Sequence, residues 1–409
     1  MRRKPILPGR GPAPVSNDAP ELPQQYNVPD PELWYAMTTQ VTPPSPAMPR
    51  QRNLVQNPHL GGSPPMKCAI IGLGNIGMAV YQDLAAVWPD ITGVDINAQR
   101  VAYLQKQGVQ ATTDMNACAH SDVWIICAST GPHMENIFAI TDSMAPKKGA
   151  LISIESTLQV NTMQELARRF NARGYRPGED IFLVHTPHRI MFGSNTSTLS
   201  MPRVIGGVTN QCLEAGTRFY ESLHATLLPV PDVRLAELAK LVENSSRYVE
   251  IAFAEAIANY CTSKNLDFLL LRNAVNSKGN VTLRNVDYGI GGECLPKDIA
   301  FLQAECHSPL FSGAMATDKN YRKNLLRRVL RLGRRVLIRG VGYKPGLGDM
   351  AYSRGVELAR RLTAQGCAVD IADELISSAA LRQAGLHPAD TSDDTGNYDV
   401  VVERGRLIT

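Results

Sequence analysis

The chain has 409 residues, of which 44% are hydrophobic and 20% are charged, and its formal net charge at pH 7 is +4. This length and composition predict two or three domains with a large core, which excludes a chain that is disordered throughout. Because the net charge is small and no basic face is interleaved with aromatic residues, we expect no nucleic acid partner.

The sequence also argues against a membrane protein, a disulfide framework and a structural metal. It contains no window that approaches the roughly 18 consecutive apolar residues of a membrane span, and no apolar stretch follows the arginines at its start. Its eight cysteines are dispersed, and no two of them have the CxxC spacing of zinc sites. We therefore expect a cytoplasmic protein with reduced thiols and no metal.

Residues 1–65 differ in composition from the rest of the chain. They hold 15 of its 27 prolines, with many Gln, Asn and Ser, and they show neither a helical nor a strand period. Such a segment cannot bury enough apolar surface to offset the entropy lost on ordering, so we predict a mostly disordered extension. The stretch PELWYAM at residues 31–37 has two interpretations, a short docking motif or a stretch with no role.

Just after this extension, a strand, a glycine turn and a helix follow one another. The strand is CAII, the turn contains Gly72, Gly74 and Gly77, and a second strand, ITGVD, ends in Asp95. This is the dinucleotide-binding fingerprint in its expected context, with a helix N-terminus facing the pyrophosphate. Asp95 would bind the ribose hydroxyls and repel a 2′-phosphate, which favours NAD over NADP. The predicted cofactor-binding residues are Gly72, Gly74, Asn75, Ile76, Gly77, Asp95 and Arg100.

Two further apolar runs, DVWIICA from Asp122 and ALISI from Ala150, continue the alternation of strands and helices. This alternation predicts a doubly wound parallel sheet. The second run is followed by Glu155, Ser156 and Thr157. Hydroxyl groups at the carboxyl end of such a strand either lie where ligands bind or cap the helix that follows, and both interpretations stay open.

A long helix is predicted over residues 235–261, which contain neither proline nor glycine and carry apolar residues at helical spacing. Lys240 and Asn244 lie four residues apart, so they project from one face of it. Further along the chain, GIGGECLPKD places Cys294 between glycines and a proline. On its own, this segment is as consistent with a tight turn as with a functional thiol.

The end of the chain predicts a second, smaller α/β unit, with strands at residues 335–343, 368–372 and 398–402 and a helix at residues 353–365. The basic run at residues 322–335 has leucines at helical spacing, and we interpret it as a packed helix with a solvated basic face. The expected fold is α/β, with an N-terminal Rossmann-type doubly wound sheet, a central helical domain and a smaller C-terminal α/β domain. The predicted domains are the extension at residues 1–65, a dinucleotide-binding domain at 66–230, a central domain at 231–325 and a nucleotide-sugar-binding domain at 326–409.

The motifs GLGNIG, EST, GIGGECLPKD and GYKPGLGD, together with Lys240 and Asn244, resemble one family of nucleotide-sugar dehydrogenases. It comprises the UDP-glucose, UDP-N-acetylmannosamine and GDP-mannose 6-dehydrogenases, and the resemblance spans the chain from Met66 onward. It implies that the C6 alcohol of a nucleotide sugar, foremost a UDP-sugar, is oxidised to a carboxylate with two NAD. It also implies a homodimer with the long central helix at its core.

On this resemblance, Cys294 captures the intermediate aldehyde as a thiohemiacetal, which a second hydride transfer converts into a thioester. A thiolate needs nearby positive charge, which Lys240 or Lys297 would supply. Lys240 and Asn244 would stabilise an oxygen that becomes anionic, and Asp298 would accept the alcohol proton directly or through water. The full predicted catalytic set is Cys294, Lys240, Asn244, Asp298, Thr157 and His188, with Thr157 positioning water or the nicotinamide. The predicted substrate contacts are Gly289, Gly291, Gly292, Lys297, Lys344 and Asp349.

Two features depart from the family pattern. Where the family carries a glutamate after proline that is associated with activating water, this chain has His188. A histidine can act as a base near pH 7, or His188 can be a surface or hydrogen-bonded histidine without a catalytic part. Within GDMAYS the chain has Ala351 and Tyr352 where the family typically has an arginine. A pyrophosphate contact would then come from Arg203, Arg247 or Arg339.

Two other functions stay open. A dehydrogenase that stops at the aldehyde of a nucleotide sugar or nucleoside is consistent with His188 in place of the usual acid. The other alternative is a non-catalytic, NAD-binding regulatory homologue with the Pro-rich segment as its interaction element. The joint presence of Cys294, Lys240, Asn244 and Asp298 argues against the second alternative, because a scaffold does not need all four.

Overall fold

The computed structural model describes residues 66–189, 199, 201–389 and 396–408, so the extension predicted at residues 1–65 lies outside the described residues. The described part contains two sheets with helices packed against them. Among its helices, none is both long enough and apolar enough to cross a membrane.

The first sheet has eight strands and confirms the predicted doubly wound α/β fold. Its strands are β1 (Cys68–Ile71), β2 (Ile91–Val94), β3 (Ala111–Thr112), β4 (Val123–Ile126), β5 (Ala150–Ile154), β6 (Ile181–His185), β7 (Arg203–Gly207) and β8 (Leu227–Val230). They lie in the order β3-β2-β1-β4-β5-β6-β7-β8, and only the β6–β7 pair is antiparallel. The predicted strands match β1 and β5 in full, whereas the sequence had not indicated β6, β7 and β8.

Five α-helices accompany this sheet. They are α1 (Asn75–Ala85), α2 (Ala98–Lys106), α3 (Glu135–Ser143), α4 (Thr162–Ala172) and α5 (Asn210–Ser222), and a 3₁₀ turn spans Met115–Cys118. Strands β1, β4 and β5 are buried along their whole length, because helices cover both faces of a parallel sheet. Their continuous apolar sequences follow from this double burial.

A group of four helices, two of them long, comes next in the chain. It consists of α6 (Val233–Ser263), α7 (Phe268–Asn276), α8 (Cys294–Cys306) and α9 (Pro309–Leu332). The predicted long helix is confirmed as α6, and it begins where the Asp232 carboxylate accepts a hydrogen bond from the Arg234 amide at 3.0 Å. The basic run predicted as helical forms the last part of α9, where Leu325 and Val329 are buried and Lys323 and Arg327 are exposed.

The second sheet confirms the smaller α/β unit. Its strands are β9 (Arg335–Arg339), β10 (Ala368–Ala372), β11 (His387–Pro388), β12 (Val400–Glu403) and β13 (Arg406–Ile408), in the order β11-β10-β9-β12-β13, and its helices are α10 (Arg354–Ala364) and α11 (Ser378–Gln383). Only the β12–β13 pair is antiparallel. The strand predicted at residues 335–343 ends early, because the chain turns at Gly340 with a φ of +73°.

A buried carboxylate joins α6 to the first sheet. Glu237 is fully buried, and its two oxygens accept hydrogen bonds from the amides of Asn161 and Met163, each at 2.8 Å. These amides belong to the start of α4, so a side chain of one helix caps another. Burial raises the pKa of Glu237 to about 7, against the effect of these amide donors.

A second buried carboxyl on α6, Glu255, has a different environment. Neither of its oxygens has a hydrogen-bond partner among the described residues. Burial and the negative charge of Asp318 raise the pKa of Glu255 to about 9, although Arg322 and Arg354 act in the opposite direction. Glu255 is therefore protonated in the folded protein at neutral pH, which keeps an unpaired charge out of the core.

Because the pKa of Glu255 in the folded protein lies above its ordinary value of 4.5, the folded state holds this proton more tightly than the unfolded state. Its contribution to stability is fully present below pH 4.5 and is lost as the pH rises towards about 9. We expect Glu255→Gln to melt like the wild type near pH 4.5 and about 2–5 °C higher at pH 8. Melting curves between pH 4.5 and pH 8 test this expectation. The control is Glu250→Gln, at an exposed position of the same helix. If the melting temperatures of both variants and the wild type change with pH in parallel, the expectation is contradicted.

Candidate active site

The glycine turn after β1 has two tight positions and one open position. A Cβ atom on Gly72 would lie 2.7 Å from the Ala128 Cα, and one on Gly77 would lie 1.8 Å from the Gly72 carbonyl oxygen. Gly74, by contrast, has nothing within 4 Å of its Cβ position and immediately precedes α1. The turn therefore leaves open space next to the amides at the start of a helix, where a phosphate group binds well.

Asp95 and Arg100 both brace this turn. The Asp95 carboxylate accepts hydrogen bonds from the Leu73 amide at 2.8 Å and from the Asn97 amide at 2.9 Å. The Arg100 guanidinium donates to the Leu73 carbonyl. The predicted contact of Asp95 with a ribose stays a prediction, and the structure adds a role in holding the glycine turn.

The two hydroxyl residues after β5 differ in their surroundings. The Ser156 hydroxyl is buried and donates to the Ala128 carbonyl at 2.6 Å, which ties the end of β5 to the end of β4. The helix-cap interpretation is wrong for Ser156, because α4 begins at Thr162 after Asn161, and the ligand-site interpretation stays a prediction. Thr157 is half-buried at the same edge of the sheet, and its predicted role stays a prediction.

Helices α6 and α8 meet at Asp298, which is fully buried. One carboxylate oxygen of Asp298 accepts from the Asn244 amide group at 2.5 Å, and the other lies 2.6 Å from the Lys297 ammonium nitrogen. Three predicted catalytic or substrate-binding side chains are thus brought together. Asp298 has no exposed surface in this structure, and its predicted role as acceptor of the alcohol proton, directly or through water, stays a prediction.

Cys294 is the first residue of α8 and lies one turn before Asp298. Its side chain is exposed. The pKa of the thiol is nevertheless raised, because surrounding protein atoms displace water and the Asp298 carboxylate is near; Lys297 and Lys240 lower it without outweighing these effects. The expectation that Lys240 or Lys297 supplies the positive charge for a thiolate stays a prediction, and in this structure the Lys297 ammonium is already engaged with Asp298.

The glycines around the cysteine allow close packing. A Cβ atom on Gly289 would lie 2.5 Å from side-chain carbons of Arg322, and one on Gly291 would lie 3.0 Å from the Tyr352 carbonyl oxygen. The Gly292 amide donates to that same carbonyl at 3.2 Å. Contact of these glycines with a substrate stays a prediction, whereas the structure shows that they let α9 and the segment after β9 approach the cysteine.

Lys344 and Asp349 lie on that segment, between β9 and α10. The Asp349 carboxylate accepts from the Ala351 amide at 2.8 Å, and its carbonyl accepts from the Tyr343 amide at 2.9 Å, so Asp349 closes the turn that carries Lys344. The ring of Tyr343 lies about a van der Waals distance from the Cβ position of Gly292. This turn therefore borders the cysteine segment.

A buried network follows β5 and β6, and sequence reasoning missed its central residue, Glu155. His188 Nδ1 lies 2.9 Å and Arg203 Nη2 lies 2.7 Å from one Glu155 oxygen, and the Tyr220 hydroxyl donates to the other at 2.7 Å. Burial disfavours the negative charge of the Glu155 carboxylate, but the effects of Arg203, His188 and Tyr220 outweigh that of burial and lower the pKa of Glu155 to about 2.

Two interpretations made from the sequence concern this network. Arg203 is buried against Glu155, so it is not available to a pyrophosphate, and that interpretation is wrong. His188 is 6% exposed and hydrogen-bonded to Glu155, so it is a hydrogen-bonded histidine and not a surface one, and its catalytic part stays a prediction. No sequence signal pointed to the Glu155–Arg203 pair, because Glu155 follows β5 and Arg203 begins β7, almost 50 positions later in the chain.

Comparison with known proteins gives two family matches. Residues 104–224 match the NAD binding domain of the UDP-glucose/GDP-mannose dehydrogenase family, and residues 234–319 match its central domain. Together the two matches make up about half of the chain.

Individual relatives agree with these matches. The chain is 28% identical over 341 residues to an NDP-N-acetyl-D-galactosaminuronic acid dehydrogenase of Ralstonia nicotianae, covering 73% of this chain and 80% of the relative. It is 25% identical over 347 residues to a UDP-N-acetyl-D-mannosamine dehydrogenase of Methanococcus maripaludis, covering 75% and 79%.

Among solved structures, the UDP-N-acetyl-mannosamine dehydrogenase of Staphylococcus aureus is similar with a TM-score of 0.67 and 26% identity, covering 76% of this chain and 84% of that one. The UDP-D-ManNAc dehydrogenase of Pyrococcus horikoshii shares the fold, with a TM-score of 0.72 over 83% of this chain and 89% of that one at 23% identity. Family matches, relatives and fold agree, and the chain belongs to the UDP-glucose/GDP-mannose dehydrogenase family as an NAD-dependent nucleotide-sugar dehydrogenase.

Proposed function

We propose that the chain oxidises the C6 alcohol of a UDP-sugar to the carboxylate in two NAD-dependent steps, through a thioester on Cys294. One observation carries the proposal: an exposed thiol begins α8, and the buried Asp298 one turn later holds Asn244 and Lys297 beside it. The relatives named for UDP-N-acetyl-D-mannosamine make UDP-N-acetylhexosamines the first substrates to test.

The residues of the glycine turn fit NAD. The open space at Gly74 admits a pyrophosphate, and the backbone around Asn75 and Ile76 presents the first amides of α1 to it. Each Asp95 oxygen accepts one protein hydrogen bond and keeps acceptor capacity for a ribose hydroxyl. NAD, when bound here, takes up the hydride in each oxidation.

For the first oxidation, Lys240 and Asn244 face the substrate oxygen from α6. The Asn244 amide group uses one N–H for Asp298 and has a second N–H to donate. Lys240 supplies a positive charge on the same helix face, which stabilises the oxygen as its proton leaves. Asp298 is a positioning residue that fixes Asn244 and Lys297, and a proton would reach it only through water or through these partners.

For the second oxidation, Cys294 forms a bond from its sulfur to the aldehyde carbon, and the thiol proton passes to the aldehyde oxygen. The resulting thiohemiacetal is oxidised to a thioester, and water then releases the carboxylate and restores the thiol. The position of Cys294 at a helix N-terminus favours negative charge on sulfur during this cycle. Lys344, on the turn that borders the cysteine segment, would contact the nucleotide half of the substrate.

A homodimer along α6 completes the proposal. Val242, Phe253 and Tyr260 are 50%, 61% and 57% exposed, although all three are large apolar residues. Val242, Val249 and Ala256 recur every seven residues, as do Phe253 and Tyr260, and two such series side by side are the pattern of a helix seam that packs on a second helix. A second copy of the chain would cover this seam.

A variant pair tests the cofactor site. We expect Gly74→Val to fold normally, because its Cβ atom would meet no protein atom within 4 Å, but to bind NAD at least about 10-fold more weakly, a loss of about 1.4 kcal/mol. Gly77→Ala should instead lower the melting temperature, because its Cβ would overlap the Gly72 carbonyl oxygen. Calorimetric titration measures the NAD affinity and melting curves measure the stability of each variant. Unchanged NAD affinity of Gly74→Val would show that the pyrophosphate lies elsewhere.

Product stoichiometry tests the chemistry. With a panel of UDP-, GDP- and dTDP-sugars, the wild type should form two NADH per sugar and an acid, weighed by mass spectrometry. Cys294→Ser should keep NAD binding and lose at least about 100-fold in acid formation. Cys306→Ser is the matched control, because it removes the exposed thiol at the other end of α8. One NADH and an aldehyde from the wild type would favour the two-electron alternative, and full acid production by Cys294→Ser would exclude the thioester.

Light scattering after gel filtration tests the dimer. We expect the wild type to have twice the mass of one chain, and Phe253→Asp to shift it towards the mass of one chain, because a buried unpaired charge in the seam is unfavourable. Ala102→Asp, an exposed position on α2, adds the same charge elsewhere and should leave the mass unchanged. A wild type that elutes as a single chain would refute the dimer.

A further inference from the structure

Four charged side chains hold the backbone of Ile290, in the glycine-rich segment before α8. The Ile290 amide donates to one Asp318 oxygen at 2.8 Å, and the Ile290 carbonyl accepts from the Arg354 guanidinium at 2.9 Å. Arg322 donates to the other Asp318 oxygen at 3.0 Å and to Glu357 at 2.8 Å. Glu357 also accepts from Arg354 at 2.6 Å, which closes the circle. We call these four side chains the charged ring.

The charged ring joins two helices that belong to different parts of the chain. Asp318 and Arg322 lie one turn apart on α9, whereas Arg354 and Glu357 lie in the first turn of α10. Two carboxylates and two guanidinium groups alternate around it, so its charges sum to zero and the burial of Asp318 is compensated. Charge-assisted hydrogen bonds are strong, and a fully connected network of them is rigid. The Ile290 peptide is therefore held firmly on both sides.

Glycines before and after Ile290 leave the space that the charged ring occupies. A Cβ atom on Gly289 would lie 2.5 Å from the side-chain carbons of Arg322, and one on Gly291 would lie 3.3 Å from the Arg354 Cγ atom. Gly289 also has a φ of +124°, which other residues rarely adopt. The order glycine, isoleucine, glycine is thus the sequence that the charged ring requires.

The segment of Arg354 also contacts the chain next to the thiol. The Gly292 amide, two positions before Cys294, donates to the Tyr352 carbonyl at 3.2 Å. The ring carbons of Tyr343 lie 3.4 Å from the Cβ position of Gly292. Burial and nearby negative groups, the Cys294 sulfur among them, raise the pKa of Tyr343. The start of α10 and the turn after β9 therefore border the thiol.

Both ends of this arrangement are anchored in the second sheet. The Ser353 hydroxyl caps α10 and donates to the Val341 carbonyl just after β9. The Tyr288 hydroxyl, two positions before the held peptide, lies 2.7 Å from the Arg339 carbonyl oxygen and 3.0 Å from the Val402 carbonyl oxygen. A displacement of the second sheet would therefore move the cysteine segment with it.

We propose that Asp318 and Arg354 are positioning residues for the Cys294 thiol. By holding the Ile290 peptide on both sides, they let the second α/β unit fix the place of the sulfur for its attack on the aldehyde. This inference rests on the proposed function, since that attack belongs to it. Arg354 comes two positions after Tyr352, in the stretch where the sequence departs from the family pattern.

Alkylation with iodoacetamide tests the position of the thiol without any substrate. Arg354→Gln removes the guanidinium that joins the Ile290 carbonyl to Glu357. We expect Cys294 to react at least about 5-fold faster in this variant, because the released segment opens more often. Cys306, the exposed thiol at the other end of α8, should keep its rate. Peptide mass spectrometry of the full-length protein follows both cysteines.

Steady-state kinetics with NAD and the sugar identified by the product assay give the second readout. We expect kcat for acid formation by Arg354→Gln to fall at least about 10-fold, because the sulfur no longer lies in place for the aldehyde. KM for NAD should keep its wild-type value, because the glycine turn lies on the first sheet and is unchanged.

Arg361→Gln is the matched control. Arg361 lies on the same helix and forms an ion pair with Glu357 at 3.5 Å, but it is not a member of the charged ring. This variant should have wild-type alkylation rates and wild-type kcat. Arg354→Lys keeps a positive charge beside Glu357 but lacks the planar fork that reaches both partners. It should melt like the wild type and still show faster alkylation of Cys294.

Three outcomes would overturn the inference. A wild-type alkylation rate of Cys294 in Arg354→Gln would overturn it and leave the proposed function intact. Equal acceleration at Cys294 and Cys306 in both Arg354 variants would overturn it as well, because the charged ring would then only stabilise the fold. If the wild type forms no NADH from any sugar, the proposed function fails and the inference fails with it. Should Arg354→Gln melt early, the comparison of Arg354→Lys with Arg361→Gln decides.

Discussion

The geometry of the candidate active site depends on the contact of the buried Asp298 carboxylate with Asn244 of α6 and with Lys297 beside it on α8. A carboxylate without exposed surface is stable only with such partners, and removing one partner from a buried pair typically costs about 3–5 kcal/mol. This contact therefore fixes α8 against α6. The position of the Cys294 thiol, one turn earlier on α8, depends on this contact, and the Asp298 carboxylate contributes to the raised pKa of the thiol.

Buried carboxyl groups also join separate elements where the first sheet meets the helices. Glu237 caps α4 from α6, and Glu155 joins His188, Arg203 and Tyr220. In each case a buried carboxyl group joins two elements that are distant in the chain. A few buried carboxyl groups thus hold this edge of the sheet against the helices.

Local sequence signals predicted much of this fold. Strands β1 and β5, helix α6 and the glycine turn depend on short apolar runs, helical spacing and glycine geometry, which neighbouring residues determine. The antiparallel β7 was not predictable, because its direction depends on pairing with β6 across a long connection. The burial of Arg203 and Asp298 was missed for a similar reason: their partners, Glu155 and Asn244, become neighbours only in the folded chain. Motifs pointed to the candidate site residues, but not to which of them are buried and hold the others in place.

Helix α9 has a mechanical consequence. It is 24 residues long, which at 1.5 Å per residue is about 36 Å. Near its start Phe311 packs with the core of the first sheet, and near its end Leu325 and Val329 belong to the core of the second. One continuous helix therefore packs in both cores. Over this length, a tilt of about 10° at the first sheet would carry the far end through about 6 Å.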